Sequence, residues 1–101
     1  MIRGTTPTHT FGIPINAKDV KDIRVTYRQD DRNILDKKMD NVELVGKAVK
    51  VALTQQETFA FTAGIKAKVQ IRVLSTGGVL FGNRKPINID VYDSFNNEVL
   101  K

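Results

Sequence analysis

The amino-acid sequence predicts a single all-β domain over residues 1–101, a two-sheet sandwich of about seven short strands with one or two short helical turns. Three observations predict it. Apolar and polar residues alternate with period two through most of the chain, the pattern of half-buried strands. Clusters of Asp, Asn and Gly break the alternation at intervals of roughly 8–12 residues, the spacing of a sandwich. The chain has 101 residues, 41% hydrophobic and 27% charged, enough for one core and too few for a second domain.

Thr8 to Pro14 reads as the first strand, with Phe11 and Ile13 on one face and Pro14, which has no amide proton, at its end. Asn16 is placed to cap a short helical turn that carries Asp19 near its N-terminus. Asp22 to Gln29 follows as a clear strand: Ile23, Val25 and Tyr27 share one face, and Arg24, Thr26 and Arg28 the other. Asp30-Asp31-Arg32-Asn33 is a turn, because Asp and Asn side chains bond their own backbone. Asn33 to Lys38 reads as a charged edge strand, and Met39-Asp40-Asn41 turns the chain again.

Val42 and Leu44, then Val49, Val51 and Leu53, form two short strands around a tight turn at Gly46-Lys47. Thr54-Gln55-Gln56-Glu57 has the form of a capping box and closes one helical turn. Phe59 and Phe61 then resume an apolar alternation that Ala63-Gly64 ends. Lys66 to Leu74 reads as the longest strand, with Ala67, Val69, Ile71 and Val73 inward and Lys66, Lys68, Gln70 and Arg72 outward. Ser75-Thr76-Gly77-Gly78 is a hairpin signal leading back into Val79-Leu80-Phe81. Gly82 to Pro86 interrupts, as a bulge or as a crossing between sheets. Ile87, Ile89 and Val91 mark the last strand. Residues 93–101 form a C-terminal tail; Phe95, Val99 and Leu100 are too apolar for a free tail, so it is expected to dock on its own domain or on a neighbour.

The composition leaves little for catalysis. There is no Cys or Trp and only one His, which excludes Cys-based zinc sites and multi-His metal sites. His9, between Thr8 and Thr10 with no Ser nearby, reads as an exposed strand residue rather than a base. Asp30-Asp31 and Asp36/Asp40 lie in turns or on an edge strand among Lys and Arg, where water solvates them. The stretch Thr76 to Gly82 lacks the Gly-Lys-Ser/Thr ending of a phosphate loop. The expectation is therefore no enzyme, no catalytic residue, no metal and no cofactor. No run of 18 apolar residues could span a membrane, and the N-terminal residues lack the apolar core of a signal peptide.

Lys plus Arg number 16 and Asp plus Glu 11, for a net charge of +5. That balance admits nucleic-acid binding as the alternative reading. Interspersion of the charges speaks against it, as in Lys18-Asp19-Val20-Lys21-Asp22. Arg24 and Arg28 are expected on one outer face and Lys66, Lys68 and Arg72 on another, with Tyr92 as the best exposed ring, so no single stripe is assured.

The segments Leu53 to Phe61, Ala63-Gly64, Val69 to Leu74 and Gly77-Gly78 resemble small immunoglobulin-like proteins encoded in phages and prophages of Gram-positive bacteria. The opening Met1 to Phe11 and the ending Asp93 to Leu100 resemble the same proteins, so the likeness spans nearly the whole chain. More loosely, the chain is similar to the N-terminal sandwich domain of phage baseplate upper proteins. Their large C-terminal region has no counterpart in this sequence, so a baseplate role does not transfer. The resemblance implies an immunoglobulin-like fold and a non-enzymatic structural or adaptor protein of the virion, found in the particle or in the host cytoplasm during assembly. Its implied partner is itself or another phage structural protein, through protein contacts for which Tyr92, Phe95, Val99 and Leu100 are the candidate residues.

Overall fold

Strand pairing follows directly from where the alternation places apolar side chains. The computed structural model describes residues 1–101. Eight strands form: β1 (Thr8–Gly12), β2 (Val20–Gln29), β3 (Arg32–Lys38), β4 (Glu43–Val45), β5 (Ala48–Ala52), β6 (Ala67–Ser75), β7 (Leu80–Gly82) and β8 (Ile87–Ile89). One short helix, α1 (Gln55–Phe59), and two 3-10 turns, Ala17–Asp19 and Met39–Asn41, complete the secondary structure. The chain is thus the all-β, two-sheet sandwich expected, with three helical turns rather than one or two.

The smaller sheet runs β1-β5-β4 and the larger β3-β2-β6, all antiparallel, with β7 and β8 both pairing the outer side of β6. The core lies between them. Phe11, Val49 and Val51 from the small sheet meet Ile23, Val25, Tyr27, Val69, Ile71 and Val73 from the large one. Ile13, Leu53, Phe61 and Val91 are buried with them, and Leu35, Leu44, Phe81 and Ile89 are partly buried against the core rim. Val20 and Ala67 are buried too.

Local chemistry sets the turns. Asp30 takes a φ of 51° at the β2–β3 hairpin, a left-handed conformation that Asp tolerates through its short polar side chain. The capping box of α1 is complete: Thr54 accepts from the Glu57 backbone, and the Glu57 carboxylate accepts from the Thr54 backbone. The 3-10 turn after Asn16 forms without a side-chain cap from that residue.

Two expectations need correction, and one open alternative is decided in favour of a bulge. Phe59 does not resume a strand; it is the last residue of the helix that the capping box starts, with Ala60 as its C-cap, before Phe61 enters the core. β2, not β6, is the longest strand, since Val20 and Lys21 extend it beyond a register irregularity near Asp22. The interruption after Gly82 does not cross to the other sheet. Register moves from Arg72↔Gly82 to Val69↔Ile87, so the edge strand loops out two extra residues and returns to the same partner.

Candidate interaction site

The apolar residues singled out near the C-terminus lie on a segment that is tied down by its backbone. Tyr92 N–H donates to the Met1 carbonyl, and Arg3 N–H donates to the Tyr92 carbonyl, so residues 1–3 run beside residue 92 as a short parallel bridge. One step on, the Arg3 guanidinium donates to Asp93 Oδ1 at 2.8 Å and to the Phe59 carbonyl at 3.1 Å, and it stacks over the Phe59 ring at 5.5 Å. The hydrogen bond from Arg3, aided by the Ser94 backbone, holds the Asp93 carboxyl below its usual range. Near the chain's end, the Gln55 carboxamide both donates to the Leu100 carbonyl (2.7 Å) and accepts from the Leu100 N–H (2.8 Å).

While the backbone is anchored, the side chains face water. Phe95 is fully exposed, Leu100 is 74% exposed and Tyr92 57% exposed, and Val99 sits at the exposed margin. Ile2, the bridge partner of Tyr92, is about half exposed. Arg3, Gln55 and Phe59 are the anchors. Their anchoring role has no signature in the sequence, because long-range side-chain-to-backbone bonds leave no local pattern.

The basic residues are arranged differently from expectation. β2 and β6 are neighbours, so their outward residues share one face rather than two. Arg24 stands opposite Arg72, Thr26 opposite Gln70, and Arg28 opposite Lys68. On the other side of β2, Lys38 pairs with Arg24 and Asp36 with Thr26. All of these but Lys38, together with Arg84 and with Asp30 and Asp31 at the hairpin end, line an open groove of about 800 Å³ on the outer face of the large sheet. Arg24 is bonded to Asp22 (2.9 Å), and Arg28 donates through Nε to Asn33 (2.9 Å). Lys68, Arg72 and Arg84 form no ion pair. Lys66, expected on this face, lies outside the groove, near Asp90.

A third polar group lies where the sheets part. His9 shares strand parity with Phe11 and so turns inward, contrary to its reading as an exposed residue. Its Nδ1 is 2.7 Å from the Tyr27 hydroxyl, and its ring packs against Tyr27 and Phe11. Burial, and then the positive amino terminus, lower the His9 pKa. Burial, and then the Glu57 charge, push the Tyr27 pKa well above the ordinary phenol value. Glu57 in turn binds Lys37 at 2.7 Å, and the Lys37 side chain is only 11% exposed. Burial resists ionisation of Glu57, but hydrogen bonds from Lys37 and from the Thr54 backbone outweigh it and lower the carboxyl's pKa. The group closes the seam between β1, β2, β3 and α1 with paired charges.

No group of three or more His, Cys, Asp or Glu side chains is arranged to hold a metal ion. No helix is long and apolar enough to cross a membrane. Comparison with protein-family models, with curated proteins and with solved structures finds no match to the chain.

Proposed function

We propose that the protein is a non-enzymatic structural or adaptor component of a phage or prophage particle, an immunoglobulin-like domain that acts through protein–protein contacts made by residues 92–101. The observation that carries this reading is the contrast between the tail's fixed backbone and its exposed side chains. Gln55 and the Arg3–Asp93 pair hold the segment against the domain, yet Tyr92, Phe95 and Leu100 project into solvent. Each such side chain leaves apolar surface in water that a partner would cover, at about 25 cal/mol per Å². The resemblance of both chain ends to small phage proteins supplies the setting. The partner is a second copy or another structural protein of the particle, met in the virion or in the host cytoplasm during assembly.

Light scattering after size exclusion, over a range of concentrations and with candidate particle proteins co-expressed, tests this. The parent chain forms a complex of defined stoichiometry, with itself or with a particle protein. Phe95→Ser/Leu100→Ser, which keeps the backbone anchors, stays folded and stays alone. Equal assembly of parent and variant, or a parent that is monomeric under every condition, overturns the reading.

A further inference from the structure

The outer face of the large sheet carries an arrangement that the fold alone does not favour. Two of its three central rows put like charges directly opposite: Arg24 faces Arg72, and Arg28 faces Lys68. Lys38 extends the first row to three consecutive basic residues across three strands. Like charges directly opposite on neighbouring strands destabilise a sheet. Arg24 is paired with Asp22, and Asp30 and Asp31 line the hairpin end of the groove beyond Arg28, but Lys68 and Arg72 have no carboxylate within ion-pair distance.

Between the basic rows the charge changes sign. In the middle row Asp36, which accepts a hydrogen bond from Thr26 Oγ1 at 2.7 Å, stands beside Thr26 and Gln70. The basic rows are four residues apart along β2, which at the rise of a strand is about 13 Å. Val69 is the one hydrophobic residue lining the groove, and no aromatic ring lines it.

We propose that this groove binds an extended acidic segment of a partner protein, laid along β2 and β6, with Asp or Glu side chains four positions apart. One carboxylate sits on the Arg24–Arg72 row and the other on the Arg28–Lys68 row, with a neutral or basic residue between them over Asp36. A polynucleotide fits less well. It carries a negative charge at every unit, which would place one on Asp36, and it finds no ring on which to stack a base. The proposal rests on the reading of this chain as a protein-binding domain, but it uses a different surface from residues 92–101.

The test is titration of the isotope-labelled full chain, followed by backbone amide shifts at low ionic strength, with three probes. One is an extended Thr/Gln-rich peptide with two Glu four positions apart. Another is the same composition with the two Glu adjacent. The third is an oligothymidylate. Residues 24–28 and 68–72 shift most with the first peptide, which binds more tightly than its isomer. Lys68→Gln/Arg72→Gln, outward positions whose loss leaves the spectrum dispersed, weakens it by about tenfold, the scale of two exposed ion pairs. Equal binding of both peptides, no shift on this face, or tighter binding of the oligothymidylate overturns the proposal. Because the tail variants of the assembly test leave this face intact, failure here is separable from failure of the assembly reading.

Discussion

The side chain of Asn83 takes the place of a missing strand beside Ile71. Its Oδ1 accepts the Ile71 backbone N–H at 2.7 Å, and its Nδ2 donates to the carbonyls of Val69 (3.2 Å) and Lys85 (2.8 Å). The edge strand loops out between β7 and β8 at this point, and Ile71 is a core residue. Asn83→Ala leaves the Ile71 N–H without a partner, while the Val69 carbonyl keeps its pairing with β8. Leaving a buried group unpaired costs about 1–3 kcal/mol, so the urea midpoint falls while the slope of the transition stays the same. Hydrogen exchange at Ile71 accelerates in the variant; an unchanged exchange rate there would show that the carboxamide does not bridge the gap.

Much of the fold is legible in the residues taken one by one. The alternation of β2 and β6 marks the buried faces, and Thr54 with Glu57 marks the start of α1. What is not legible depends on pairing between distant segments. Arg24 and Arg72 share a face only because β2 neighbours β6, and nothing local to either strand states that. The bond from Asn83 to Ile71 and the clamp of Gln55 on Leu100 are likewise long-range. His9 is a different case. Its parity with Phe11 does show in the sequence, and strict period-two counting puts it on the inner face.

Gly4 approaches the Phe59 ring more closely than any side chain allows. A Cβ at Gly4 would lie 2.5 Å from Phe59 Cζ, and the residue has a φ of +78°. Its N–H donates to the buried Thr58 hydroxyl, which in turn donates toward the Thr5 carbonyl, so the segment has no room to slide. Gly4→Ala combines left-handed strain, about 1–3 kcal/mol, with displacement of the ring from beneath the Arg3 guanidinium. Thermal unfolding drops by several degrees, at about 4–8 °C per kcal/mol for a domain of this size. A melting temperature equal to the parent's would contradict this packing.

Gln29 is nearly fully buried at the end of β2 and ties down the loop after α1. Its Nε2 donates to the carbonyls of Thr62 (2.8 Å) and Ile65 (2.7 Å), and its Oε1 accepts from Thr62 N–H (2.7 Å). Gln29→Leu removes three bonds to the backbone, and stability falls by about 2 kcal/mol or more. Gln29→Glu is worse at neutral pH, since it aims a carboxylate at two carbonyl oxygens. Limited proteolysis reads the loop directly, with cleavage in residues 62–65 rising in both variants and most in Gln29→Glu. If the glutamate variant proved as resistant as the parent, the side chain would not be anchoring the loop.

Acid should weaken the seam between the sheets in two separate windows. The folded His9 pKa lies below its unfolded value near 6.5, so the unfolded chain binds the extra proton first. Its contribution is complete above that pH and is lost as pH falls through the folded value. Glu57 behaves in the same sense at lower pH: its folded pKa is depressed, so its contribution holds above the ordinary carboxyl range and is lost on further acidification. Protonating Glu57 also strands the Lys37 ammonium, which is 11% exposed. Urea midpoints measured from pH 8 down to pH 3 therefore decline in two stages. His9→Gln removes the upper stage and leaves the lower, while Glu57→Gln lowers the midpoint throughout and shrinks the lower stage to what Asp93, also held below its usual range, contributes. A parent profile that is flat between pH 7 and 5, or an upper stage that survives His9→Gln, would mean that the imidazole at the seam is free to take its proton in the folded state.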